Sequence, residues 1–358
     1  MNKTSSSPLV FKGVYFVEIV RCIAGMIRYI GKRLLTMIPV LACVAVLIFT
    51  LMYFVPGDPV KIAMGGETTS QELIDETRAR LGLDQSYGQQ LWSFLKGIVK
   101  LDFGTSYTLG IDVGEELVRR FPKSFILAFS SLIFIVVIGV PLGVWCALKA
   151  GKIQDKIMMV VTLILNSMPT FWLALLLILL FSVKLNLLPS NGVGGVEYYI
   201  MPIVAASVGS LASITRQTRS SMLEVIRSDY VVTARSKGLS ERTVTYGHAL
   251  PNALIPIITV CGSYFGFMFG GTTVIETIFS IPGLGSYLVT AINARDYPVV
   301  RGSILFIAFT FSMVMLLVDL IYAFVDPRIK AQYVSANKRK KAKPSAEEKD
   351  TQGEGEKQ

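Results

Sequence analysis

Long apolar runs separated by short basic connections make up most of the chain. A helix rises about 1.5 Å per residue, so about 20 mostly apolar residues cross a hydrocarbon core about 30 Å thick. Runs of that length predict membrane spans at about residues 34–55, 124–148, 157–182, 198–215, 252–275 and 303–325. The fourth, YYIMPIVAASVGSLASIT, is the shortest and is rich in Ala, Ser and Gly. Small residues let helices approach closely, which places this span inside the bundle rather than against lipid. The fold class expected is all-α, a polytopic membrane protein with six transmembrane helices.

The polar stretches divide the rest. Residues 1–33 form a leader in which Glu18, Arg21, Arg28 and Lys32 fall on one side of a helical wheel. Phe11, Val14, Val20, Ile23, Ile27 and Ile30 fall mostly elsewhere, a pattern that suits a helix lying in the membrane interface, with a loose leader as the alternative. Residues 56–123 are too long for a simple link, and Thr69 to Glu72 offers a T-x-x-E capping box before ELIDETRARL. Residues 124–325 hold the other five spans and a polar loop at 216–251. The mixed-charge tail, 326–358, reads as disordered, with anionic lipid as its sharper partner. The first apolar run is too long, and starts too late, for a cleavable signal.

With 52% hydrophobic and 17% charged residues in 358, composition agrees with a chain whose main solvent is lipid. Lysine and arginine fix the orientation. Segments 1–33, 149–156 and 216–251 carry six, three and six of them, and the tail after 325 carries nine. The short loops on the other side hold only Lys184, Arg295 and Arg301. Both termini are therefore expected in the cytoplasm, and the net charge of +10 belongs to inward-facing loops and tail rather than to a nucleic-acid partner.

Catalytic chemistry is sparse. Cys22, Cys43, Cys146 and Cys261 sit singly, without C-x-x-C spacing, and one histidine, His248, cannot build a His-rich zinc site. No G-x-S-x-G is present. GMIRYIGKR, at Gly25 to Arg33, has five residues between its glycines and Arg where a phosphate loop has Ser or Thr, so any ATP chemistry would lie on another chain. No catalytic residue, bound cofactor or metal is expected. Asp319 lies inside the last apolar run and Glu276 at the edge of the fifth, too few carboxylates for the ion coupling of a secondary transporter. Asp319 is expected to pair with a basic or hydroxyl group on a neighbouring helix.

The 216–251 loop contains DYVVTARSKGLSERTVTYGHALP. Ser228 or Asp229 can cap a short helix, Gly238 stands where a left-handed cap ends one, and Ser240 can start another leading through Thr245 and His248 to Pro251. Tyr230, Ala234 and Lys237 share a face by spacing, an aromatic anchor beside a small residue. Periodicity alone leaves open whether this helix docks on a partner or rests on headgroups. In VIETIFSIPGLG, Pro282, Gly283 and Gly285 cannot continue a helix, so this stretch, with Phe279, re-enters or skirts the membrane, either lining a path or making a structural turn.

The loop resembles the E-A-A-x-x-x-G-x(9)-I-x-L-P segment of ABC importer permeases. That pattern falls on Val232, Thr233, Ala234, Gly238, His248, Leu250 and Pro251 and keeps the Ala, the Gly and the Leu-Pro. VPGDP at Val55, RLGLD at Arg80, DFGTS at Asp102, LPSNG at Leu188, RQTRSSMLEV at Arg216 and DLIYAFVDPR at Asp319 follow in the order of the dipeptide, oligopeptide and nickel branch of that family, from about residue 30 to 330. The resemblance implies a type I importer permease fold and a coupling loop toward a separate ATPase. Tyr230, Val232, Thr233, Ala234, Arg235, Lys237, Gly238, Leu250 and Pro251 would carry that coupling. Glu276, Phe279, Pro282, Gly283, Gly285 and Asp319 would serve the pathway or assembly. It further implies a second permease subunit, two cytoplasmic ATPase subunits that use the ATP, an outer solute-binding protein, and uptake of peptides or, alternatively, of nickel or another small solute. The rival classes are a stand-alone secondary transporter or channel, and an intramembrane enzyme.

Overall fold

A computed structural model describes the backbone of residues 8–63 and 70–325, and side chains within 30–61 and 70–321. The charged tail and Thr69 lie outside the described residues. The chain divides into two compact units, residues 1–37 with 319–358, and residues 38–318. Five helices among the described residues are long and apolar enough to cross a membrane, and a bent pair makes a sixth candidate.

Helix α1 (Pro8–Phe54) runs without a break from the leader into the first span. In the first unit the Arg33 guanidinium pairs with Asp319 at 3.0 Å, the basic partner that the sequence leads one to expect. A charge in an apolar run is costly alone and far less so when paired.

In the second unit, short helices α2 (Pro59–Ala63), α3 (Gln71–Arg80) and α4 (Tyr87–Val99) occupy the long loop after α1. Ser70 is the N-cap of α3, without a side-chain cap bond; the capping box expected from Thr69 falls outside the described residues. Helix α5 (Val113–Leu148) begins well before its apolar run, because Asp112 caps it by accepting from the Glu115 amide at 2.8 Å. Glu116 is paired with Arg119 and Arg120 at 2.7 and 2.6 Å, which lets the charged first turns stay helical.

The third span is broken. Helices α6 (Ile153–Ser167) and α7 (Thr170–Leu177), the latter continued by a π-helical stretch to Lys184, meet at 97°. Pro169 is the physical cause: it disfavours the helical region for the residue before it, and Met168 accordingly takes φ −75° and ψ 126°.

Helix α8 (Glu197–Ile226) packs along α5 and also touches α6, α7 and α11 (Leu250–Gly271). Its apolar window is 44% buried, the largest share among the five unbroken candidate spans, as its small residues predict. The close approach comes from α5. A Cβ on Gly143 would lie 2.4 Å from Thr218 Cβ and 2.7 Å from the Thr215 carbonyl, and one on Gly139 would lie 3.3 Å from Ile214. Gly139 and Gly143 are four apart, the small-x-x-x-small spacing that joins helices where lipid removes the hydrophobic drive.

Helices α12 (Thr273–Ile278), α13 (Leu284–Asn293) and α14 (Tyr297–Val325) complete the chain. Asp296, buried before α14, accepts from Ser106 Oγ at 2.5 Å, Thr108 Oγ1 at 2.8 Å and the Tyr107 amide at 3.1 Å. The loop after DFGT is thereby fastened to the start of the last span.

Candidate functional site

The polar loop between α8 and α11 folds as a short helix, a turn and a re-entry. Ser228, extended at φ −74° and ψ 150°, opens helix α9 (Asp229–Ser236). The helix stops because Gly238 takes φ +78°, a left-handed conformation that a side chain disfavours; a Cβ there would meet no atom within 4 Å. The Gly238 amide reaches the Arg235 carbonyl at 2.9 Å and the Lys237 amide reaches Thr233 at 3.1 Å, satisfying the last carbonyls. Across the turn, Arg235 holds Glu241 through two bonds of 2.8 and 3.2 Å. Being solvent-exposed, this pair contributes at most about 1 kcal/mol.

Ser240 then caps α10 (Glu241–Thr243), accepting from the Thr243 amide at 3.3 Å. A π-helical turn, Val244–Ala249, joins α10 to α11 so that Glu241–Gly271 runs as one helical rod. Pro251 does not break it: it sits where the π-helical turn passes into α11. Leu250 is half-buried and Pro251 exposed.

Burial separates two faces of α9. Val231 and Ala234 are buried with Met222, Val244 and Ala249 in the chain's own core. Tyr230, Val232, Thr233 and Lys237 are exposed, and Leu239 and Tyr246 extend the apolar exposure past the turn. This corrects one expectation: Ala234 faces inward and is no part of a docking surface with Tyr230 and Lys237. A side chain at a spacing of four drifts by about 40° around the helix, enough to turn Ala234 under α9 when Val231 anchors that side.

The VIETIFSIPGLG stretch makes a second, separate cluster, beyond the 22 residues of α11. The buried Glu276 carboxylate accepts from Ser124 Oγ at 2.7 Å, Thr272 Oγ1 at 3.3 Å, and the Gly285 and Ser286 amides at 2.8 and 3.0 Å. It therefore satisfies the open N-terminus of α13 and ties it to α5. A Cβ on Gly283 would lie 2.4 Å from Glu276 Oε2 and one on Gly285 would lie 2.4 Å from Thr273 Oγ1. Phe279 is buried among Leu127, Met201 and Ile281, its carbonyl accepting from the Gly192 amide at 2.8 Å. Pro282 is half-buried in the turn. Of the two readings open in the sequence, a structural turn fits these contacts, since groups satisfied and enclosed within the chain do not line a path. Asp319, in the other compact unit, pairs with Arg33.

Residues that sequence reasoning passed over include Asp155 and Arg219, which form a bidentate pair at 2.6 and 2.7 Å, with Asp155 also accepting from the Gly151 amide at 3.0 Å. The signal was a lone acid in a basic connection, KAGKIQDK, opposite an arginine run. Outside the spans, Asp58 loses hydration on burial, which pushes its carboxyl up, but hydrogen bonds from Arg78 and the Val60 amide outweigh this and hold it below its ordinary value.

Comparison with known proteins bears on these two clusters together. A family model described as "Binding-protein-dependent transport system inner membrane component" matches residues 139–331, and its N-terminal counterpart matches residues 26–128. The chain belongs to this family. It is a polytopic inner-membrane permease of an ABC importer. Among its relatives are the "Glutathione transport system permease protein GsiC" of Salmonella choleraesuis (strain SC-B67) and of Escherichia coli (strain K12). Each is 38% identical over 305 residues, covering 85% of this chain and 99% of the relative. The permease also shares its fold with a chain of the MetNI methionine ABC transporter, solved in inward-facing conformations, with TM-score 0.52 and 21% identity over 59% of this chain and 96% of that one. The type I importer fold expected from the loop motifs is the fold observed.

Proposed function

We propose that this permease takes up peptides, handed to it by an outer solute-binding protein, and is driven from its cytoplasmic side through α9. The observation that carries this reading is the shape of residues 229–251: an exposed helical knob stopped by Gly238, then a turn capped by Ser240 that opens a rod running into a span. A load applied to the exposed face of α9 passes through Val231 and Ala234 into the core between α5, α8 and α11, and through the Arg235–Glu241 bridge into the rod ending at Gly271. Transmission of this kind needs differential contact in two states, which a separate ATPase pair closing on ATP supplies.

On this reading the permease is not itself an enzyme and binds no cofactor. The hydrolytic subunits dock at Tyr230, Val232, Thr233 and Lys237, a second permease subunit completes the path, and both termini lie in the cytoplasm. Peptide cargo is supported by the relatives named for glutathione transport, a peptide-like solute; nickel chelates and other small solutes are the alternative within the same branch. Uptake of labelled tripeptide into proteoliposomes holding the whole complex tests it. Uptake is expected with ATP inside and the ATPase subunits present, and none with either omitted. Gly238→Pro, which forces the turn out of its left-handed conformation, is expected to leave hydrolysis running without uptake. Uphill uptake by the permease alone would sink the proposal.

A further inference from the structure

Helix α4 is held at the edge of the membrane by its inner face. Phe94 stacks on Phe49 of α1 with ring centres 5.5 Å apart, and Tyr87 meets Phe49 and Tyr53 at 5.6 and 5.1 Å. The Tyr87 hydroxyl lies 2.7 Å from Thr50 Oγ1. Arg301, one turn into α14, places its guanidinium carbon 5.2 Å from the Phe94 ring centre. Phe49 to Tyr53 belong to the last turns of the span that ends at Phe54. These contacts set α4 at the margin of the hydrocarbon, where α1 ends and α14 begins.

The opposite face of α4 has no partner among the described residues. At about 100° per residue, Leu91, Leu95 and Val99 follow one another along one edge with Trp92 beside them, and Gln89, Lys96 and the C-cap Lys100 make the next edge. Leu91 and Leu95 are half-buried, but Trp92 is 64% exposed and Val99 86%. Just past the helix, Leu101 takes φ +61°, a left-handed cap where glycine is usual, and at 78% exposure it adds little to the packing of its own chain. Lys96 and Lys100 are exposed and form no ion pair among the described residues.

An apolar edge beside a lysine edge, at the depth where a span ends, suits a helix lying in a membrane interface. Tryptophan favours that layer because its ring is apolar and its N–H polar; lysine favours it because a long apolar stem carries a charged head up to the phosphates. Lysine is depleted in the buried part of protein–protein contacts, which disfavours a partner protein as the cover. We propose that the exposed face of α4 is embedded in the headgroup layer and that Lys96 and Lys100 bind anionic lipid there. Each lysine close to an anionic surface strengthens association about fivefold. Only the choice of the outer leaflet rests on the orientation proposed for the importer. Contact with lipid is measured without transport, so its failure and the failure of that reading are distinguishable.

The test uses the full chain in lipid nanodiscs, with Trp145→Phe and Trp172→Phe leaving Trp92 as the single tryptophan. Its fluorescence is expected to be quenched by phosphatidylcholine brominated near the headgroup and hardly at all by aqueous acrylamide. Brominated phosphatidylglycerol, doped at a low share, is expected to quench it more than the same share of brominated phosphatidylcholine. Lys96→Gln with Lys100→Gln should raise the share of phosphatidylglycerol needed for half-quenching about fivefold or more. Lys96→Arg with Lys100→Arg should keep the wild-type value, and both pairs, at exposed positions, should melt like the wild type. Free quenching of Trp92 by acrylamide, with none by brominated lipid, would overturn the proposal. So would a preference for phosphatidylglycerol that survives the double glutamine variant, or shielding of Trp92 that appears only when the solute-binding protein is added to the whole complex.

Discussion

The two faces of α9 make opposite predictions for two neighbouring substitutions. Ala234 is 7% exposed and packs with Val231, Val244 and Ala249, so Ala234→Leu forces three extra carbons into a closed core. Overpacking of that kind costs about 1–3 kcal/mol, which lowers a melting point by roughly 1–4 °C in a chain of this size. Tyr230 is 44% exposed. Tyr230→Ala changes the stability of the isolated permease by less than about 0.5 kcal/mol. Truncating a buried aromatic anchor at an interface, by contrast, costs about 2 kcal/mol, or about 30-fold in affinity. The assay is a pair of measurements on each variant: thermal unfolding of the purified permease, and titration of the ATPase subunits onto it in nanodiscs. Ala234→Leu should move the first strongly. Tyr230→Ala should move the second strongly and the first hardly at all. If Tyr230→Ala destabilises the permease as much as Ala234→Leu and binds the ATPase normally, the assignment of faces is wrong.

Three further outcomes follow from the packing. Gly143→Val drives a side chain into Thr218 and the Thr215 carbonyl, so α5 and α8 must separate, and purified protein should show a clearly lower melting temperature than Leu142→Val, a change at a half-buried neighbouring position. Glu276→Met removes the acceptor of the Gly285 and Ser286 amides at the start of α13, costing about 1–3 kcal/mol for each stranded donor; unfolding at unchanged temperature would show that the carboxylate does not hold that turn. Asp155→Ala strands the Arg219 guanidinium in a part-buried setting, a loss of about 3–5 kcal/mol that a combined Asp155→Ala, Arg219→Leu variant should recover in part, read from the same melting curves.

How much of this was legible in the sequence varies by element. Apolar length alone located the spans, because a bilayer fixes the length of any helix that crosses it. The bend at Pro169 was not seen, since hydropathy averages over a break that one ring imposes on Met168. The start of α5 was missed for the opposite reason: Glu116, Arg119 and Arg120 look like loop residues until they pair on one helical turn. Gly238 was read correctly because left-handed caps have a residue signature. Ala234 was assigned to the wrong face because spacing gives relative angles on a helix but not which angle the core claims. The α5–α8 contact was anticipated only from the small residues of α8, not from Gly139 and Gly143 of α5, and Asp155–Arg219 joins residues far apart in the chain, whose proximity only the fold supplies.

The central claim is that force enters this permease through the exposed side of α9, and a single cysteine tests it most directly. In the assembled complex, Lys237→Cys should cross-link to an ATPase subunit, with a yield that changes when ATP is added, while a cysteine at the exposed Thr290 of α13 should not. Cross-linking to the ATPase from Thr290 and none from Lys237 would contradict the account.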